Sequence, residues 1–125
     1  MRTLAVFLAV LFAQPATAQQ RYLQSLLRVE PQTRLEQVCD IEAARQIRRD
    51  TGLRVDRAKA DISRAPVHSG HTVTASGGAF RAAGQWRELS FTCTGTPDHL
   101  HVVSLKYKIG PVIPESKWAE LGLWR

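Results

Sequence analysis

The sequence predicts an α+β domain: one main N-terminal helix disulfide-linked to an antiparallel, meander-like sheet, closed by a short C-terminal helix. From Arg87 to Cys93 the residues alternate strictly. Leu89, Phe91 and Cys93 point one way and Glu88, Ser90 and Thr92 the other, as in a half-buried strand. Leu35, Cys39, Ala43 and Ile47 recur every four residues with Val38 beside them, which is the apolar stripe of a helix. The two cysteines of the chain stand one on each of these faces.

The N-terminus sets the compartment. Arg2 precedes an apolar run from Leu4 to Phe12 and the small-x-small group Ala16-Thr17-Ala18, so residues 1–18 read as a secretory signal peptide cut after Ala18. The run is about half of the ~20 residues that span a bilayer, and no second one follows, which predicts no transmembrane segment after cleavage. The expected location is periplasmic or secreted. Two cysteines in an oxidising compartment pair, so Cys39 is expected to bond Cys93. Closing a loop of that size stabilises a small domain by about 4 kcal/mol. A Cys–His nucleophile using His99 would need one thiol to stay free and low in pKa.

The net charge is +6, with arginines interleaved among acids, so no dense basic tract forms. Gln19–Arg125 is one domain by length. Residues 19–33 form an N-terminal lead-in, in which Tyr22, Leu23, Leu26 and Leu27 have helical spacing. Residues 34–125 form the single α+β domain. Thr33 and Glu36 have capping-box spacing, which predicts a helix from Arg34 to Arg49 with Thr33 as N-cap. Ile41 falls outside its stripe, and Glu42 and Gln46 fall within it. Arg45, Arg48 and Arg49 oppose the negative end of the helix dipole, and Thr51-Gly52 ends it.

Leu53 to Ile62 reads as strand or loop. His71–Ala75 and Ala79–Ala83 read as short strands broken at Gly77-Gly78, and Gly84-Gln85 as a tight turn into the Trp86–Cys93 strand. Thr94–Asp98 is a turn by composition. In the strand from Leu100 to Ile109, Lys106 and Lys108 assign Leu100, Val102 and Ser104 to the outer face. His101, Val103, Leu105, Tyr107 and Ile109 then form the inner face, and matching it to Leu89, Phe91 and Cys93 requires an odd loop or a bulge. Gly110-Pro111 stops the strand. Pro114–Leu121 is a short helix with Gly122 as its stop, and Trp118, Leu121, Leu123 and Trp124 are expected to cover an end of the sheet.

The segments RLEQVCDIEA (34–43), GGAFRAAGQWRELSFTC (77–93), TPDHLHVVSLKYKIG (96–110) and IPESKWAELGLW (113–124) resemble the bacterial domain-of-unknown-function family 930. The resemblance implies a small exported protein of alphaproteobacterial type. It carries over no catalytic, cofactor or ligand residues.

His99 and His101, two apart on a predicted strand, are the alternative site, for a metal or for hydrolysis. The spacing is weak, because any alternate strand positions satisfy it. No G-x-S-x-G, phosphate-binding glycine loop, H-E-x-x-H or Cys-x-x-Cys occurs, and no cofactor is expected. Phe91 and Tyr107 read as core rather than as stacking platforms, and export argues against nucleic acid. The function expected is therefore that of a non-enzymatic binding or structural module. Its candidate contact surface is the outward strip Trp86, Glu88, Val102, Lys106 and Lys108, and its partner an envelope protein or an anionic envelope component.

Overall fold

Glu30 starts the long helix, three residues before the position that the capping-box spacing predicts. In a computed structural model of the chain, which describes residues 14–125, helix α2 runs Pro31–Thr51 with Pro31 in its first turn. The Glu30 carboxylate accepts from the backbone N–H of Gln32 and Thr33 and from the Thr33 hydroxyl. A carboxylate that takes three donors leaves the Thr33–Glu36 box nothing to do at the terminus, and the Glu36 carboxylate instead meets His68 Nε2 at 3.1 Å. Before α2 lies helix α1 (Ala18–Leu26), capped reciprocally by Thr17 and Gln20. The apolar run Leu4–Phe12 lies outside the described residues.

The sheet has five strands: β1 (Val55–Lys59), β2 (Val67–Ser69), β3 (Thr72–Ala82), β4 (Gln85–Gly95) and β5 (Val102–Val112). Its order is β1-β3-β4-β5, all neighbours antiparallel, with β2 also paired to β3. Ala83 and Gly84, both at positive φ, make the two-residue turn between β3 and β4. Gly77-Gly78 is a bulge inside one continuous strand rather than a break between two. The segment before β2 packs on Gly77, where a Cβ would sit 2.6 Å from Arg64 Cβ. At Gly78 a Cβ would meet the carbonyl oxygens of Lys59 and Leu89 at 2.7 and 2.9 Å. Only glycine admits both neighbours, which is why the strand passes through these residues.

Helix α2 lies across the inner face of the sheet. Leu35, Val38, Cys39, Ala43, Ala44 and Ile47 pack there against Val73, Ala75, Phe80, Leu89, Phe91 and Leu105. Cys39 and Cys93 form a disulfide between helix and sheet with Cα atoms 6.1 Å apart. Both sulfurs are fully buried.

A second bulge corrects the faces assigned to β5. Leu105, Tyr107 and Ile109 pair with Cys93, Phe91 and Leu89 on the inner face, as expected. Between Ser104 and Val102, however, β5 holds one residue more than β4, and every side chain beyond it turns over. Leu100 and Val102 therefore pack against the core, and Val103 is 68% exposed. The 3₁₀ turn Glu115–Lys117 and helix α3 (Trp118–Leu121) follow, ended by Gly122 in the left-handed region.

The bare face of the sheet

Among the described residues, the outer face of the sheet is covered only at one end. There the C-terminal segment packs Ile113, Leu123, Trp118 and Leu121 over Ala79 and Trp86. Trp86 does lie on the outer face with Glu88, as its alternation implies, but it is 0% exposed and forms the centre of a second core. It is therefore no contact residue. Val102 leaves the proposed strip as well, because the bulge turns it inward. Glu88, Lys106 and Lys108 remain exposed.

Over the rest of this face the register assembles a grid of polar side chains from three strands. Thr72, Thr94 and Ser104 make one row, and the Thr72 and Thr94 hydroxyls lie 2.9 Å apart. Thr74, Thr92 and Lys106 make the second. Ser90 pairs with Lys108 in the third, with Ser76 beside them at the bulge. Among the described residues nothing lies over these rows. At the covered end Ser63 and Arg64, Gly77, Glu88 and Pro111 wall a recess of about 380 Å³ that opens onto Ser76, Ser90 and Lys108. Hydroxyls both donate and accept, whereas the lysines and Arg64 only donate. The grid itself contains no carboxylate; Glu88 stands at its rim beside Gly110.

Lysines on an edge strand also discourage edge-to-edge pairing, and β5 is an edge strand. That role needs charge alone, so it accounts for Lys106 and Lys108 but not for the hydroxyl rows beside them.

His99 and His101 are not on a strand, since β5 begins at Val102. His99 has φ +58° and is buried, and its Nδ1 lies 2.7 Å from the Pro31 carbonyl oxygen. Its Nε2 meets His71 Nδ1 at 3.0 Å, and His101 is exposed. The Nδ1–H of His99 donates to Pro31, so His99 Nε2 accepts from the Nδ1–H of His71 when both rings are neutral. Arg34 donates to the Asp98 carbonyl in the same loop, and the loop is thereby tied to the start of α2. No group of three or more His, Cys, Asp or Glu placed to hold a metal occurs among the described residues.

A different cleft, of about 460 Å³, opens between α2 and the edge strand β1. Two α2 side chains reach across to β1: Arg48 donates to the Val55 carbonyl at 2.8 Å, and the Asp40 carboxylate accepts from the Ala60 N–H at 2.9 Å. Burial pushes the Asp40 carboxyl up to about 7, and the Glu36 charge adds to this; the Ala60 bond, Lys59 and Arg57 oppose it. Sequence reading missed this site, because Asp40 sits one place off the apolar stripe and nothing local marks it. Arg64, Thr74 and Ser76 were missed for a related reason: only the register brings them beside Ser90 and the lysines.

A small α+β domain with its helix stapled to one sheet face and a polar grid bare on the other is the class that this fold and site define. The family model described as Domain of Unknown Function (DUF930) matches residues 26–123, and the chain belongs to that family. No curated protein and no solved structure matches it.

Proposed function

We propose that the protein is an exported, non-enzymatic binding module whose bare sheet face takes up an anionic glycan of the cell envelope. The observation that carries this reading is the grid itself: hydroxyls of Thr74, Ser76, Ser90 and Thr92 flanked on one side by Lys106 and Lys108. Such a surface hydrogen-bonds sugar hydroxyls and pairs with carboxylate or phosphate groups along a chain. It shows no exposed aromatic on which a neutral sugar ring would stack, and Val67 of β2, which pairs with Thr74 and is 67% exposed, is a single apolar side chain, too little to anchor in a lipid layer. Successive lysines on one strand face stand ~6.8 Å apart, so two charges of one polymer are within reach. The Cys39–Cys93 disulfide suits an oxidising compartment.

The test uses the exported mature chain on immobilised polygalacturonate, with dextran as the neutral glycan. Polygalacturonate is expected to retain the protein at low salt and release it as salt rises, because the exposed charges are screened. The variant K106E/K108E keeps the edge strand charged and is expected to lose retention. Equal retention on dextran, or an unaffected double variant, defeats the reading. Export is tested separately, by sequencing the mature N-terminus for Gln19. Cleavage there removes Thr17 and with it the cap of α1, leaving Leu26 to anchor that helix.

A further inference from the structure

The cleft between α2 and β1 has a chemistry unlike that of the sheet face. Ile41 is 54% exposed and Tyr22 of α1 is 42% exposed, and both line it, with Ala44 at the floor. Large apolar side chains bordering one concave site with a few polar groups are what a small-molecule site is made of.

We propose that this cleft binds a small monocarboxylate with an aliphatic body, its carboxylate set between Asp40, Arg48 and Lys59 and its body against Ile41, Ala44 and Tyr22.

The backbone of β1 argues for a small molecule over a peptide. Arg48 and Asp40 hold both ends of this edge, the Val55 carbonyl and the Ala60 N–H just past β1, so an added peptide strand would find neither end free. Charge argues for an anion. Asp56 at the rim is engaged by Arg81 at 3.2 Å, which leaves the cations of the cleft in excess. Asp40 reinforces this: its Oδ1 accepts from Ala60, so a proton held by the carboxyl sits on Oδ2 and donates to a bound carboxylate. The charges that act on Asp40 are Glu36 from its own helix and, from β1, Lys59 and the more distant Arg57. Glu36 is in turn bonded to His68 of β2, and the Arg57 guanidinium stands over Trp124 on the far side of the sheet.

The experiment is calorimetric titration of the mature chain with octanoate, octanol and octylammonium. Octanoate is expected to bind best, and about tenfold more tightly at pH 6 than at pH 8, because Asp40 passes between its protonated and ionised forms across that range. Ile41→Glu and Lys59→Glu, both at exposed positions, are each expected to weaken it about tenfold or more. Asp40→Asn retains binding and removes the pH dependence. Octanol or octylammonium binding as tightly as octanoate, no octanoate binding at pH 6, or an Ile41→Glu variant that binds like the parent overturns the proposal. K106E/K108E leaves this titration unchanged, so the cleft and the sheet face stand or fall separately.

Discussion

The indole N–H of Trp86 donates to the backbone carbonyl of Trp124 at 2.7 Å, and the two rings cross edge to face with centroids 5.2 Å apart. This contact, reinforced by Arg57 stacked 5.5 Å over the Trp124 ring, closes the C-terminal segment over the end of the sheet. Trp86→Phe keeps most of the apolar volume and removes the donor, so it is expected to cost about 1 kcal/mol. Trp86→Ala leaves a cavity and is expected to cost about 3–5 kcal/mol. Urea midpoints of the two variants measure the difference, and a Trp86→Ala variant as stable as the parent would show that the cover is not part of the cooperative fold.

Cys39 and Cys93 close a loop across a sequence separation of 54. Replacing both by alanine is expected to remove about 4 kcal/mol, chiefly by releasing the unfolded chain. Urea unfolding of the double variant, compared with the reduced parent, checks this; both should lose stability to a similar degree.

Asp40 makes stability pH-dependent in the direction opposite to a surface carboxylate. Its folded-state pKa is raised to about 7, above the ordinary aspartate value near ~4. Between those two values the folded state binds more protons than the unfolded one. The contribution of Asp40 is therefore fully present below about pH 4 and is lost as pH rises through about 7. Asp40→Asn keeps the acceptor for the Ala60 N–H without the charge. It is expected to be about 1–3 kcal/mol more stable than the parent at pH 8, with the gap closing toward pH 4. Parallel urea curves at the two pH values read the effect, and a constant gap contradicts it.

His99 ties the loop between β4 and β5 to the first turn of α2 through Pro31, and its backbone sits at φ +58°. His99→Ala is expected to cost about 1–3 kcal/mol: it leaves the Pro31 carbonyl unpaired and places alanine in a left-handed conformation. His99→Asn tolerates that backbone and is expected to recover part of the loss. His71→Ala, at an exposed position, is expected to cost less than His99→Ala. Amide exchange at Asp98–His101 gives the local reading, and equal protection in parent and His99→Ala would dismiss the latch.

Much of the fold was legible from residues close together in the chain. The alternation of Leu89, Phe91 and Cys93 and the stripe through Leu35, Cys39, Ala43 and Ile47 are periodic signals written within one element, and the elements bury those faces. The C-terminal helix and its glycine stop are signals of the same kind. The disulfide follows from having two cysteines on two such faces. The helix start was misplaced because Thr33 and Glu36 satisfy a local pattern that the Glu30 carboxylate pre-empts.

What the residues alone determined, then, is which side chains share a face, because that depends only on the period of a helix or a strand. Tertiary structure decided which faces are covered, because covering is done by segments distant in sequence. Trp86 lies on the predicted face, yet Leu123 and Trp124 hide it. Val102 turned inward because of one extra residue in β5, and β3 stayed whole because neighbouring backbone needs the room at Gly78. The polar grid and the Asp40 cleft belong to this second kind: their side chains come from three strands, or from a helix and an edge, and only strand register and helix packing set them side by side.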